Sequence, residues 1–124
     1  KPKNVRAALR EVEKQRTVLR SVQPKTKAGK VLWTELELAT RMAEQSCKYM
    51  LWQQALAGKS KKARRMARTG IGELRRLARD FNACWPLRNK GTTAKCSAFL
   101  RWRIEDYRRG ILHFLPDAAQ FKRA

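Results

Sequence analysis

The sequence predicts an all-α fold, a single-domain bundle of four or five helices with a long central helix. Apolar residues recur at spacings of three and four along most of the chain. No stretch alternates long enough to make a convincing strand. Pro24, Gly58, Pro86 and Gly110 fall where the helical periodicity stops. The length of 124 residues fits one domain, residues 1–124, and 43% hydrophobic residues allow a real core.

The first helix is expected from near Asn4, a suitable N-cap, with Val5, Ala8, Leu9, Val12, Leu19 and Val22 on one stripe. Pro24 stops it, and residues 24–30 read as a turn. The second helix is expected over about Val31 to Ala57. One of its stripes is Leu32, Leu36, Ala39, Ala43, Cys47 and Met50; the other is Leu38, Met42, Tyr49, Trp52 and Leu56. Two apolar stripes imply contacts on two sides, which makes this the central helix.

A third segment carries Ala63, Met66, Ala67, Ile71, Leu74, Leu77, Ala78, Phe81 and Trp85 on one face, and Pro86 ends it. Gly70 and Gly72 weaken its middle, where a break is open. Residues 88–93 read as a loop. The fourth helix carries Cys96, Phe99, Leu100, Arg103, Ile104 and Tyr107 and stops at Gly110. The run from Ile111 to Pro116 is expected to pack as an extended cover.

Charge is the strongest functional signal. Thirty Lys and Arg face ten Asp and Glu, a formal net charge of +20. A chain this basic works against something anionic: nucleic acid, a membrane surface, or an acidic or glycosylated protein. Residues 58–124 hold 18 bases and five acids. There the bases are arranged as well as abundant. Arg64, Arg68, Arg75 and Arg79 recur along one side of the third helix, with Lys61, Arg65 and Arg76 in an adjacent row. Lys59 and Lys62 extend the patch, which forms a positive track roughly 25 to 30 Å long at the helical rise. Arg101, Arg103 and Arg108 are further candidate anion-binding residues. Glu73 and Asp80 are the only acids between Lys59 and Arg88.

Four tryptophans give the chain a second feature. Trp52 and Trp85 fall on apolar faces and read as core. Trp33 sits near a helix start, and Trp102 lies between two arginines, off the apolar face. With Phe114 and Leu115 they are the candidates for shallow membrane insertion or partner contact.

No catalytic set emerges, so an enzyme is not expected. His113 is the only histidine and lies in an apolar run. Glu105 and Asp106 are adjacent and point to different helix faces. Gly70-Ile71-Gly72 lacks the rest of a phosphate-loop pattern. Cys47, Cys84 and Cys96 have no metal-ligand spacing and read as small buried hydrophobes, with one disulfide plus a free thiol as the alternative. No metal or cofactor is expected. No apolar run approaches the ~18 residues of a membrane span. The first residue is Lys1, so a removed leader is expected.

The segment Tyr49, Met50, Leu51, Trp52 ends a long central helix and precedes a basic connection containing glycine. Gly72, Glu73, Arg75, Arg76 and Asp80 follow in order, then Lys90 and Lys95, then Pro116, Asp117, Ala118, Phe121 and Lys122. This ordered set, over roughly residues 40–124, resembles the abalone sperm acrosomal protein family, that of lysin and its fusogenic sperm paralogue. The resemblance implies a secreted, non-enzymatic fertilization protein of the sperm acrosomal vesicle, a compact helical bundle with basic tracks. Its implied partners are an anionic membrane surface or an egg envelope glycoprotein, with a homodimer as a further candidate. After Asp80 the chain reads Phe81, Asn82, Ala83, Cys84, Trp85, Pro86, a helix stop where lysin continues an aromatic face. That departure moves the reading toward the paralogue and membrane fusion. Lysin-like dissolution of the vitelline envelope is the alternative. A nucleic-acid-binding bundle, such as an organellar ribosomal component, is a further one, although no recognised nucleic-acid motif is present.

Overall fold

A computed structural model of the chain describes residues 2–112. Five α-helices and one 3₁₀ turn run in the order α1 (Pro2–Ser21), α2 (Lys27–Ala57), α3 (Ala63–Cys84), the turn Trp85–Leu87, α4 (Thr93–Cys96) and α5 (Ala98–Arg109). No strand occurs among the described residues. The all-α bundle and its long central helix are therefore as the periodicity implies. The expected cover beyond Leu112, with His113, Phe114, Leu115 and Pro116, lies outside the described residues.

The starts of α1 and α2 differ from the expectation, and the break left open in the third segment does not occur. α1 already begins at Pro2, a residue well suited to a first helical turn because its missing N–H has no partner to lose. α2 begins at Lys27 rather than near Val31. The Thr26 hydroxyl accepts a hydrogen bond from the Gly29 N–H at 3.0 Å and caps the new start. α3 runs unbroken through Gly70 and Gly72. Gly70 is there for close approach: a Cβ on it would lie 2.7 Å from Cε2 and 2.8 Å from Oη of Tyr107. Its helix therefore meets α5 almost backbone to ring.

α2 packs between α1 and α3, and α5 packs on α3. The core gathers Leu38, Tyr49 and Trp52 of α2, Leu74 and Leu77 of α3, and Leu100 and Tyr107 of α5, all buried. Tyr49, Trp52 and Tyr107 form one aromatic cluster with centroids 4.5 to 5.5 Å apart. The Tyr49 hydroxyl donates to Asp106 at 3.0 Å. Gly110 closes α5 with φ 65°, the left-handed conformation that favours glycine.

Of the two stripes expected on α2, the Leu38-Met42-Tyr49-Trp52-Leu56 stripe faces the core. The other does not pack. Leu32, Leu36 and Met50 are 50%, 47% and 42% exposed, Ala39 and Ala43 are exposed too, and only Cys47 is buried. α1 docks on the neighbouring row instead, through Trp33, Glu37 and Glu44. It buries no residue fully, and Val18 and Val22 stay exposed. Cys47 and Cys84 are buried, Cys96 is half-buried, and all three are free thiols. Burial first, and Glu35 second, raises the Cys84 thiol above its ordinary value.

Candidate anionic-surface interface

The outward face of α3 follows from its sequence. At about 100° per residue, Arg64, Arg68, Arg75 and Arg79 fall within roughly 60° of one another, opposite Ala63, Gly70, Leu74 and Leu77. Those four arginines are exposed and those four small or apolar residues are buried. Arg64 to Arg79 extends roughly 22 Å along the axis. Arg65 and Arg76 flank this row and are exposed, as are Lys59, Lys61 and Lys62 in the connection before it. Lys59 holds a φ of 50° there, and the Ser60 N–H bonds the Ala55 carbonyl at 2.8 Å, folding the connection back on α2.

What leaves this face bare of negative charge is the direction of its acids. Glu73 turns toward α2 and meets Lys48 at 2.8 Å; Asp80 meets Arg41 at 2.6 Å. Both pairs belong to a network at the seam of three helices. Arg16 of α1 reaches Glu44 at 2.5 Å and Glu37 at 3.3 Å. Glu37 also meets Arg41 at 3.3 Å, and Glu44 meets Lys48 at 2.6 Å. Burial opposes ionisation of Glu44, but Lys48 and Arg16 outweigh it and hold the carboxyl below its usual range. Burial likewise opposes the Lys48 charge, and Glu44 with Glu73 more than restores it. Glu35 pairs with Arg88, and Glu105 with Arg108 and Arg109.

Among the described residues, none of the nine bases of the α3 track from Lys59 to Arg79 has an acid partner. The start of α3 adds to this field. Its first turn contains no acid and its N-cap makes no side-chain hydrogen bond. The positive end of the helix dipole is thus left among lysines, an arrangement that disfavours the isolated chain and favours an external anion.

The other basic candidates are not part of this track. The Arg103 guanidinium lies 3.6 Å above the Tyr49 ring and is half-buried, so it braces the aromatic cluster. Arg101 donates to the Ser97 hydroxyl and the Ala94 carbonyl, tying α5 to α4. Arg108 is exposed and shares Glu105 with Arg109.

The aromatic candidates divide similarly. Trp102 is 69% exposed on the outward side of α5. Trp33 is half-buried and its indole N–H donates to the Leu19 carbonyl at 2.9 Å, so it ties α1 to α2 and is not a free surface group. Trp85, expected in the core, is half-buried; it stacks on Phe81 at 5.2 Å and donates to the Gly91 carbonyl. Phe114 and Leu115 lie outside the described residues. Sequence reasoning missed the exposed row Leu32, Leu36 and Met50. The signal for it was present: Glu37 and Glu44 share a helix row with Trp33, and Arg16 offers that row a charge partner on α1.

Among the described residues no three His, Cys, Asp or Glu side chains gather where a metal could be held. No helix among them is long and apolar enough to cross a membrane. No family model, curated protein or solved structure matches this chain.

Proposed function

We propose that this chain is a non-enzymatic sperm fertilization protein, secreted from the acrosomal vesicle, that binds an anionic egg surface and promotes sperm–egg membrane fusion. The observation carrying the surface-binding part is the division of charge on α3: its two acids are each paired with a base of α2, while its arginines are exposed and have no acid partner among the described residues. The fertilization setting is drawn from the ordered resemblance to the abalone sperm acrosomal proteins.

Each Lys or Arg near an anionic leaflet contributes about 1 kcal/mol of attraction. That field gathers the protein at the headgroups. Exposed apolar groups then enter the interface, Trp102 foremost because its indole suits the boundary between headgroup and acyl chain. Two apposed membranes brought under one polycation lose much of their mutual repulsion, and shallow insertion disturbs lipid packing.

The test is lipid mixing between phosphatidylserine-containing liposomes at near-physiological salt, with aggregation scored separately. The expected result is mixing at micromolar protein that is lost in Trp102→Ser. Aggregation without mixing would reject fusion and leave a generic polycation effect.

The exposed Leu32, Leu36 and Met50 row favours a second reading, dissolution of the egg envelope without hydrolysis. An exposed apolar row could compete for the non-covalent contacts between envelope fibres. Isolated envelopes that stay intact at stoichiometric protein would exclude it.

A further inference from the structure

We propose that α2 carries a self-pairing seam through which two copies of this chain associate antiparallel. Leu32, Leu36, Ala39, Ala43, Ser46 and Met50 follow one another at spacings of four, three, four, three and four. That is the heptad rhythm of a helix–helix seam, sustained over roughly 27 Å. All six residues are exposed. The α2 residues that reach α1 (Trp33, Glu37 and Glu44) lie about 100–140° around the helix from this row. Those that reach α3 (Arg41, Gln45 and Lys48) lie about 140–180° from it. α5 reaches the flank, where Met42 and Ser46 share a small cleft with Phe99 and Arg103.

None of the seven charged residues of α2 falls on the row. Six lie more than about 100° away, and Glu35, on the flank, is paired with Arg88. In a chain with thirty bases, an uncharged exposed row of this length is not an anion-binding face. Nor is it a scatter of single surface apolar residues, which would not keep heptad spacing.

The spacing identifies the occupant. It reads the same in both directions, so reversal about position 41 maps the row on itself. Ala39 then falls opposite Ala43 of the second copy, Leu36 opposite Ser46, and Leu32 opposite Met50. Size is graded from the same point. Alanine meets alanine beside the twofold axis, where crossing helices are closest. Leucine meets serine one layer out, and leucine meets methionine at the ends, where the helices diverge. A parallel pair would set Leu36 against Leu36 next to the alanines and lose that fit. A self-complementary contact of this kind closes at two copies. The charges of α2 lie away from the seam, so the repulsion between two basic chains is kept at a distance. A strip one helix wide is smaller than the ~800 Å² per partner of a standard interface. Association is therefore reversible, with half-dimerisation on the order of 10–100 μM.

The pairing has a consequence for the basic track. The seam is turned away from α3. The Arg64–Arg79 row is in turn turned away from α2, about 140° around α3 from Glu73 and Asp80. The pair thus carries its two tracks on opposite outer sides, and one dimer can hold two anionic surfaces together. The pairing stands without the surface-binding reading; the bridging rests on it.

Sedimentation equilibrium of the full chain tests the pairing, under reducing conditions that keep half-buried Cys96 from cross-linking. The unmodified chain is expected to pass from monomer to dimer between ~1 and ~200 μM. Pairing should strengthen with salt, because screening weakens repulsion between two chains of net charge +20. Ala39→Glu and Ala43→Lys, both at exposed positions and checked for unchanged helix content, should each weaken pairing at least about tenfold. Mixed together, they should restore it to within about threefold, since position 39 of one copy faces position 43 of the other. Rescue by Ala39→Glu with Ala39→Lys instead would overturn the antiparallel seam. A chain still monomeric at ~200 μM, or row variants that pair like the unmodified chain, would overturn the pairing altogether. A monomeric chain whose Ala43→Lys variant lost vesicle binding would assign the row to lipid. Phosphatidylserine-containing vesicles then test the bridging. Ala43→Lys, although one charge richer, should still bind them but clump them at least about threefold less. Pairing without vesicle binding would uphold the seam and reject the surface-binding reading. Vesicle binding by a chain that does not pair, with clumping undiminished in Ala43→Lys, would do the reverse.

Discussion

Neutralising the outward row of α3 separates a placed field from mere excess charge. The perturbation is Arg64→Gln, Arg68→Gln, Arg75→Gln and Arg79→Gln in one chain. All four side chains are exposed, and none has an acid partner among the described residues. Removing the like-charge neighbours Arg64–Arg68 and Arg75–Arg79 relieves about 0.2–0.5 kcal/mol per pair. Folded stability is therefore retained. Binding is different, because the four charges lie on one side of a single helix. At about 1 kcal/mol each they contribute about 4 kcal/mol when that side meets an anionic leaflet. The corresponding fall in partitioning is on the order of a thousandfold. Co-sedimentation with phosphatidylserine-containing vesicles at physiological ionic strength measures it. The matched control is Lys3→Gln, Arg6→Gln, Arg10→Gln and Lys14→Gln on α1, which removes the same charge from exposed positions. There Glu11 and Glu13 share the outer surface, so the expected loss is about tenfold or less. Equal losses from the two quadruple variants would refute the reasoning: total charge, and not the α3 face, would then govern attachment.

Two further predictions probe the fold. Gly70→Ala drives a methyl group against the Tyr107 ring and should cost about 1–3 kcal/mol, lowering the melting temperature by several degrees. Gly72→Ala meets nothing closer than Arg76 Nη1 at 3.9 Å and should leave stability unchanged or raise it; equal effects at the two sites would contradict the close approach. The Tyr49 phenol is pushed up to about 12, by burial first and by Asp106 second. Above pH 10 the folded chain keeps a proton that the unfolded chain releases, so this contribution is intact below about pH 10 and is lost as pH rises toward 12. The loss is roughly 2–3 kcal/mol in denaturant titrations, and an alkaline slope unaltered in Tyr49→Phe would contradict the assignment.

The parts of the fold legible in the sequence are those governed by periodicity. Leu38, Met42, Tyr49, Trp52 and Leu56 repeat at helical spacing, and all five pack in or against the core. The same rule misplaced Leu32, Leu36 and Met50, because an apolar stripe states what could be buried and not whether a partner exists. α1 has too few large apolar residues to cover both rows of α2. Its docking is set by Arg16 between Glu37 and Glu44, a long-range charge match that no local pattern displays. Gly70 and Gly72 read alike as weak points in a helix. Only the position of Tyr107, far along the chain, distinguishes a required glycine from an incidental one. The basic track was legible residue by residue, since exposure on the far side of an amphipathic helix follows from spacing alone. Arg103 was not, because a cation stacked on Tyr49 and a cation in solvent have the same sequence signature.

The inward acids also explain how a chain of net charge +20 folds at all. Self-repulsion opposes any compact state at that charge. Scattering the acids over the surface would screen it weakly, because exposed pairs contribute about 0–1 kcal/mol. Here Glu37 and Glu44 are half-buried or buried at the α1–α2 seam, and each serves two bases. Between α2 and α3, half-buried Glu73 and exposed Asp80 each pair with one base of α2. Repulsion is cancelled where helices must approach and left standing where the surface faces outward. One arrangement thus serves both needs: the acids that let the helices close are the acids whose absence makes the α3 face purely cationic. Turning Glu73 or Asp80 outward would weaken the bundle and the anionic-surface site together, so stability and attachment are coupled through the same few carboxylates.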